Sequence, residues 1–526
     1  MTTTNGKIKD TVAPAAARIL LVAASGNQMD EDLSFIAEID RAHLVMLAEC
    51  GLVEPPHVAR LLLAIRRLMD AGFAPIHGAP LTRGLVPAYE EYLARTEGAD
   101  AEGILHTARS HNDMNATVLK LRIRRPFTDL VREGLRLLAV VLRRARLYSG
   151  AVMPIYTNHQ PAVPGTYGHY LLGIACALDR DIAGLLDAAS DLRVSPLGAG
   201  AAGGNSLRID PLRTAELLGF EEPALNSLDA VASRDLVLRL LSAAAVHGLT
   251  LNRLATDLLT WASGEYGFLE LPDRLVGLSA AMPQQRSPFL LEHVQGRTAG
   301  ALGAFVTASA AMRGDPFTHS IASGTEAMRP VWGGFSDIVD SSVLVRMVLQ
   351  GVRLNRRAMY KRAREGFTSA GALANLLLEH QLPLHEAQRW AGEIVGQALE
   401  THATLEEAAK IYLRRRGISI NLEALAPDEV CGALAYGGGP ARNCTLESVR
   451  HLAKRWSVYR ESLTRQTCRW RDAQNELAAA VAEFCEEKPA SRTPVSRVKP
   501  ISIETAWVER TAYAAAVRCQ STANEA

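Results

Sequence analysis

Apolar residues recur at helical spacing along most of this chain. Between Glu31 and Leu93 the repeat includes Ile36, Ile39, Ala42, Leu44 and Leu47, the stripe of a helix with one buried face. Longer helical patterns follow at 114–146, 165–190, 230–263 and 290–313, and Pro126 is expected to kink or break the first of them. Ser195–Gly204 is too rich in glycine for a helix interior and reads as a loop. Long helices joined by short loops predict an antiparallel bundle at the centre. Shorter helices resume from about Phe367, and Tyr436-Gly-Gly-Gly-Pro440 reads as a turn. Residues 1 to about 15 are polar and expected to be loose. Beyond Glu486, Pro489, Pro494 and Pro500 among Ser and Arg mark an extended tail. The domain limits that follow are an N-terminal helical domain over 1–112, a central bundle over 113–365, a C-terminal helical domain over 366–485, and the tail over 486–526.

Composition sharpens this reading. A chain of 526 residues can bury a large core and form more than one domain. Ala and Leu are abundant and aromatics make up 6% of the residues, which favours a mainly α fold. The 57 basic residues nearly cancel the 56 acidic ones, so neither nucleic acid nor a membrane surface is an expected partner. Seven cysteines lie scattered without close pairs or metal-ligand spacing, which points to the reducing cytoplasm and to no metal. There is no run of about twenty apolar residues and no signal-peptide pattern.

Chemistry-bearing motifs occur in order along the chain. Ser279-Ala-Ala-Met-Pro-Gln-Gln-Arg-Ser-Pro288 runs into Phe289-Leu-Leu-Glu292. Upstream stand His106-Thr-Ala-Arg-Ser-His-Asn-Asp113, Tyr156-Thr-Asn-His-Gln160, Pro196-Leu-Gly-Ala-Gly200 and Asn226-Ser-Leu-Asp-Ala-Val-Ala-Ser-Arg-Asp235. The first resembles the signature loop of the fumarase/aspartase/argininosuccinate lyase superfamily, G-S-x-x-M-x-x-K-x-N. The others resemble the argininosuccinate lyase patterns H-T-G-R-S-R-N-D, Y-T-H-L-Q, P-L-G-S-G and N-S-x-D-A-V-S-D-R-D. Several motifs at matching positions over roughly residues 30–450 make a far more specific signal than one short motif.

The resemblance implies a mainly α, three-domain fumarase/aspartase-type fold with a central long-helix bundle. It also implies a homotetramer whose active sites draw on several chains, a small carboxylate substrate, and no cofactor. Removing a proton beside a carboxylate builds a dianion, which needs a poised base and donors for the new charge. The resemblance puts Ser279 in the place of the base, with His159 and Glu292 as its catalytic partners. Ser110, His111, Asn112, Thr157, Asn158, Gln160, Gln285, Arg286, Ser287 and His319 fall at substrate-binding positions.

Several of these depart from the family pattern. Gln285 stands where the family has lysine and Ser287 where it has asparagine. Asn158 occupies the place of the family histidine, with His159 one step along. On a helix one step rotates a side chain by about 100°, so His159 takes over only if the backbone there is irregular. His111 replaces an arginine, and 316–330 lacks the lysine that would recognise the arginine half of argininosuccinate. Arg286 restores the missing charge if the loop shifts by one residue. Each residue also has a plainer reading. Ser279 is then a loop serine, His159 and His319 hydrogen-bonded surface histidines, and Glu292 an acid favoured by a helix N-terminus. The glycine run 198–204 lacks the lysine and strand of a phosphate loop. Three functions fit: a fumarate-releasing C–N lyase, a repurposed enzyme acting on a more acidic C–H, and a noncatalytic subunit.

Overall fold

A computed structural model describes residues 12–20, 26–77, 84–98 and 100–486. The expected tail, apart from Glu486, lies outside the described residues, as do residues 1–11. The N-terminal part holds helices α1 (Gly26–Glu49), α2 (Pro55–Asp70) and α3 (Leu85–Glu97). The 37-residue helix α4 (His111–Leu147) follows. A hairpin of β1 (Val152–Thr157) and β2 (Gln160–Thr166) leads into α5 (Tyr167–Ala188). The chain continues through α6 (Asp235–Ala262), α7 (Phe289–Arg297), α8 (Ala299–Met312), α9 (Val331–Gly351) and α10 (Arg356–Glu365). Shorter helices α11 (Ala370–Glu379), α12 (Leu384–Thr401) and α13 (Leu405–Arg414) precede the 45-residue α14 (Arg442–Glu486).

The fold is mainly α, and its buried apolar residues gather in three large clusters. The central one joins α4, α5, α6, α8 and α9 through Phe127, Leu137, Tyr167, Leu171, Leu240, Leu251, Phe335 and Val345. The N-terminal one joins Leu33, Leu44, Leu61, Ile65 and Tyr89 to Met114 and Leu121 of α4. The third lies within 373–425 and includes Leu377, Ile394 and Leu413. Helix α14 leaves that third body. It adds Val449, Leu452 and Leu463 to the central core and Leu477 and Val481 to the N-terminal one. The expected unit 366–485 therefore keeps its own core in its first part and lends its last helix to the other two.

Two expected features differ. Pro126 lies inside α4 without interrupting it. A helix-interior proline costs about 3 kcal/mol, and packing of α4 against α5, α9 and α14 along its length offsets that cost. The pattern 290–313 is two helices that part at Thr298. This buried residue accepts a hydrogen bond from the Asn252 amide at 3.0 Å and donates to the Gln295 carbonyl at 3.1 Å.

The bundle leaves an apolar stripe uncovered. Val246 and Leu249 on α6, and Leu302 and Val306 on α8, are each at least half exposed. Spacings of three and four residues put each pair on one side of its helix.

The turn from hairpin to bundle depends on Gly168, in the first turn of α5. A Cβ there would meet the Ala145 carbonyl oxygen at 2.5 Å and the Ser149 backbone at 2.7 Å. Gly168→Ala should therefore push α5 off the end of α4 and cost about 1–3 kcal/mol, read as a lower urea midpoint. A midpoint equal to the parent would show that this junction is not closely packed.

Candidate active site

The residues expected to form one site occupy distant parts of the chain. The first group sits at the start of α4. Ser110 is its N-cap, and its Oγ accepts the Asn112 N–H at 3.3 Å. Asp113 closes the capping box, with Oδ1 accepting the Ser110 N–H at 3.0 Å. Its Oδ2 accepts the N–H groups of Gly198 and Gly200 at 3.1 and 2.9 Å. Both glycines have positive φ, 105° and 61°, so the loop turns its amides inward in a conformation that favours glycine. The glycine run is thus an anion cradle, and its anion is the chain's own buried Asp113. Asn112 adds a bond from its amide to the Ala201 carbonyl at 3.0 Å.

Behind this turn lies a cluster of charged groups. Arg109 is buried and paired with the buried Asp40. Its other nitrogen is 3.9 Å from Glu90. His106 and His111 both reach Glu90, at 3.1 and 3.2 Å. Burial works to raise the Glu90 carboxyl, but hydrogen bonds from the two histidines outweigh it and hold the group at about 2. Burial, then Arg109, pushes His43 down to about 3. The neutral His43 ring bonds through Nε2 to the Thr107 carbonyl at 2.9 Å and braces the turn. His319 lies at the same end of the bundle, lining a cleft of about 1130 Å³ with Asn115, Arg122, Arg234 and Trp332. Burial and the Arg234 charge lower its basicity.

The second group is the hairpin tip. Thr157 pairs with Gln160, and Asn158 and His159 form the two-residue turn. Their φ values are 50° and 61°, as in a type I′ hairpin turn. The backbone here is not helical, so the condition under which His159 can stand in for the family histidine is met. Asp257 on α6 accepts the Tyr170 hydroxyl at 2.6 Å, and burial raises its carboxyl above the usual range.

The third group is the loop before α7. Gly277 and Ser287 exchange backbone hydrogen bonds at 2.8 and 3.1 Å and close the loop at its neck. Inside it, the Ser279 Oγ accepts the Met282 N–H at 3.2 Å. Gln285 is exposed, and so is Glu292 in the first turn of α7. The Arg286 guanidinium bonds to Asp273 at 2.5 Å and to the Leu271 carbonyl at 2.8 Å. Its charge is already matched by its own chain. Leu278 at the loop is 91% exposed.

One chain cannot unite the first two groups. At about 1.5 Å per residue, the 37 residues of α4 hold its ends about 55 Å apart. The hairpin leaves the far end, and its six-residue strand reaches at most about 20 Å.

The chain is similar to known proteins in both sequence and fold. A family model described as "Lyase" matches residues 85–303. The argininosuccinate lyase of Thermus thermophilus is 35% identical over 373 residues, 70% of this chain and 80% of its own. That of Shouchella clausii is 28% identical over 448 residues, 85% of this chain and 89% of its own. The chain belongs to the argininosuccinate lyase family of the fumarase/aspartase superfamily. The structure of an EDDS lyase variant with bound fumarate shares the fold at a TM-score of 0.79 and 24% identity, covering 90% of this chain and 99% of that one. A class II fumarase from Schistosoma mansoni does so at 0.65 and 16% identity, over 80% and 95%. Among the described residues no helix is long and apolar enough to cross a membrane, and the cysteines there are free thiols.

Sequence reasoning passed over Asp113, Arg109, Asp40, Glu90 and His106 as site builders. The Asp of the R-S-x-N-D pattern followed three residues after a serine was the available signal for a capping box. Asp113→Ala should strand the Gly198 and Gly200 amides and lower stability by about 2–4 kcal/mol, with faster proteolysis within 196–206. Asp113→Asn, which keeps one acceptor oxygen, should fall between. Parent-like stability in the alanine variant would mean that the loop finds other partners.

Proposed function

We propose that this protein is a carbon–nitrogen lyase that eliminates an amine from an N-substituted aspartate and releases fumarate. The observation that carries the reading is Ser279, its Oγ hydrogen-bonded by a backbone N–H inside a loop closed by Gly277 and Ser287. In the reaction, Ser279 takes the proton from the carbon beside one carboxylate. A carbon–carbon double bond forms, the carbon–nitrogen bond breaks, and the amine leaves with a proton supplied at the other end. His159, exposed at the hairpin tip, is the candidate donor, with Glu292 as its partner. Ser110 and Asn112 hold a carboxylate, joined by Thr157, Asn158, Gln160 and Ser287. Fumarate bound in the related EDDS lyase structure is the product this reading requires.

The complete site in this reading is assembled from several copies of the chain. The length of α4 supports that, as do the uncovered apolar residues Val246, Leu249, Leu302 and Val306. A homotetramer buries that stripe and brings the start of α4 in one copy to the hairpin and loop of others. The expected location is the cytoplasm.

Argininosuccinate itself is not the substrate in this reading. Segment 316–330 has no lysine for its arginine half. Gln285 carries no charge, and Arg286 bonds to the exposed Asp273. A missing preorganised donor costs about 3–4 kcal/mol of barrier. The same pairing of Arg286 favours a second reading, in which the substrate has a more acidic C–H and the reaction is an elimination, isomerisation or conjugate-addition cyclisation.

The test is a panel of N-substituted aspartates, including argininosuccinate, followed by fumarate absorbance. Release is expected from a simpler N-substituted aspartate, with argininosuccinate turned over below the usual range of about 1–10³ s⁻¹. Ser279→Ala should abolish release while its melting temperature stays within about 2 °C of the parent, because a loop serine contributes little to packing. Retained activity in that variant would move the base elsewhere, and no fumarate from any member of the panel would favour the second reading.

A further inference from the structure

Glu90, His106 and His111 converge on one point, and the lyase reading makes no use of Glu90 or His106. We propose that these three side chains form a binding site for a divalent transition-metal ion of the zinc or cobalt type. One ligand atom from each lies within 4.8 Å of the others. Both imidazoles present Nε2 to the same carboxylate. His106 is 3.1 Å from Oε1, and His111 is 3.2 Å from Oε2 and 3.3 Å from Oε1. A tetrahedral ion with bonds of about 2.0–2.1 Å sets its ligand atoms about 3.3 Å apart. The two nitrogen–oxygen edges of such a site are therefore already in place. The ring centroids are 4.8 Å apart and tilted by 59°, so small side-chain rotations close the third edge.

The surroundings fit a cation. The Glu90 side chain is 3% exposed and approaches from the protein side, while His106 and His111 are 30% and 39% exposed and approach from the solvent side. Three protein ligands with an outward opening leave a coordination position for water or a carboxylate. Glu90 is flanked at 3.9 Å by Arg109, whose charge is matched by Asp40. With neutral imidazoles the site carries one net negative charge toward a divalent ion. The outer groups also orient the ligands, a support that metal sites depend on. His43 pins Thr107, next to His106, and the capping box of Ser110 and Asp113 pins the helix turn that carries His111. Ala108 at φ 58° makes the tight turn that folds one histidine over the other. Two nitrogens and one carboxylate suit Zn²⁺, Co²⁺ or Ni²⁺ and disfavour Mg²⁺ or Ca²⁺, which take oxygen ligands.

The site borders Ser110 and Asn112 of the proposed lyase site, and its test uses the metal alone. The full chain, stripped with chelator and dialysed, is titrated with Zn²⁺ by calorimetry and with Co²⁺ by visible absorption. About one equivalent per chain should bind with Co²⁺ bands of a low-coordinate nitrogen and oxygen site. His106→Gln and His111→Gln should each weaken that binding by more than about tenfold, a loss that even outer partners of a metal can cause. A second measurement needs no variant: Zn²⁺ should protect His106 and His111 of the parent protein from diethyl pyrocarbonate, mapped by mass spectrometry. Absence of uptake, uptake unchanged in both variants, or uptake without protection of these two histidines would overturn the site.

Discussion

A single unbroken helix sets what this chain can do alone. Helix α4 runs from the capping box at Ser110 to Leu147, through Pro126, and contributes to both the N-terminal and the central cores. Burial along it is extensive. Phe127, Leu130, Leu137 and Val141 are almost fully enclosed, and side chains of this kind contribute about 1.5–3 kcal/mol each when buried. A rod held that firmly does not bend to bring its two ends together. The Ser110–Asn112 segment at one end and the hairpin at the other therefore belong to different sites, or to one site built by different copies. The stripe on α6 and α8 stays uncovered in the single chain.

Each end of the rod is tuned by a small number of polar contacts. At the start, Asp113 accepts N–H groups from the α4 cap with one oxygen and from the glycine loop with the other. One buried carboxylate thereby aligns Ser110, Asn112 and the 198–204 loop. At the far end, Gly168 lets α5 approach α4 closely, and the hairpin emerges beside that junction. Substitutions that leave Ser110 or His159 intact can still misplace them by disturbing these supports.

Much of this was legible in the residues. Most of the helical periodicity and the glycine loop read correctly as elements, because each is a local pattern, while 290–313 divides at Thr298. The hairpin turn at Asn158 and His159 was not, since two non-glycine residues with positive φ give no local periodic signal. Pro126 misled in the other direction, because a local helix breaker was outweighed by packing from helices remote in sequence. The grouping of Glu90, His106 and His111 depends on how α3 lies against the start of α4. No spacing rule within one segment reveals it. The pairing of Arg286 with Asp273 is similar: the charge was visible in the sequence, and its direction was not.

The proposed site needs several copies of the chain, and the mass of the native particle tests that most directly. Light scattering on the purified full-length chain at micromolar concentration should give four times 56.8 kDa, with the mass constant on dilution through that range. A particle of one chain mass, with α4 intact by circular dichroism, would contradict the account, because the groups at Ser110 and at His159 would then have no way to meet.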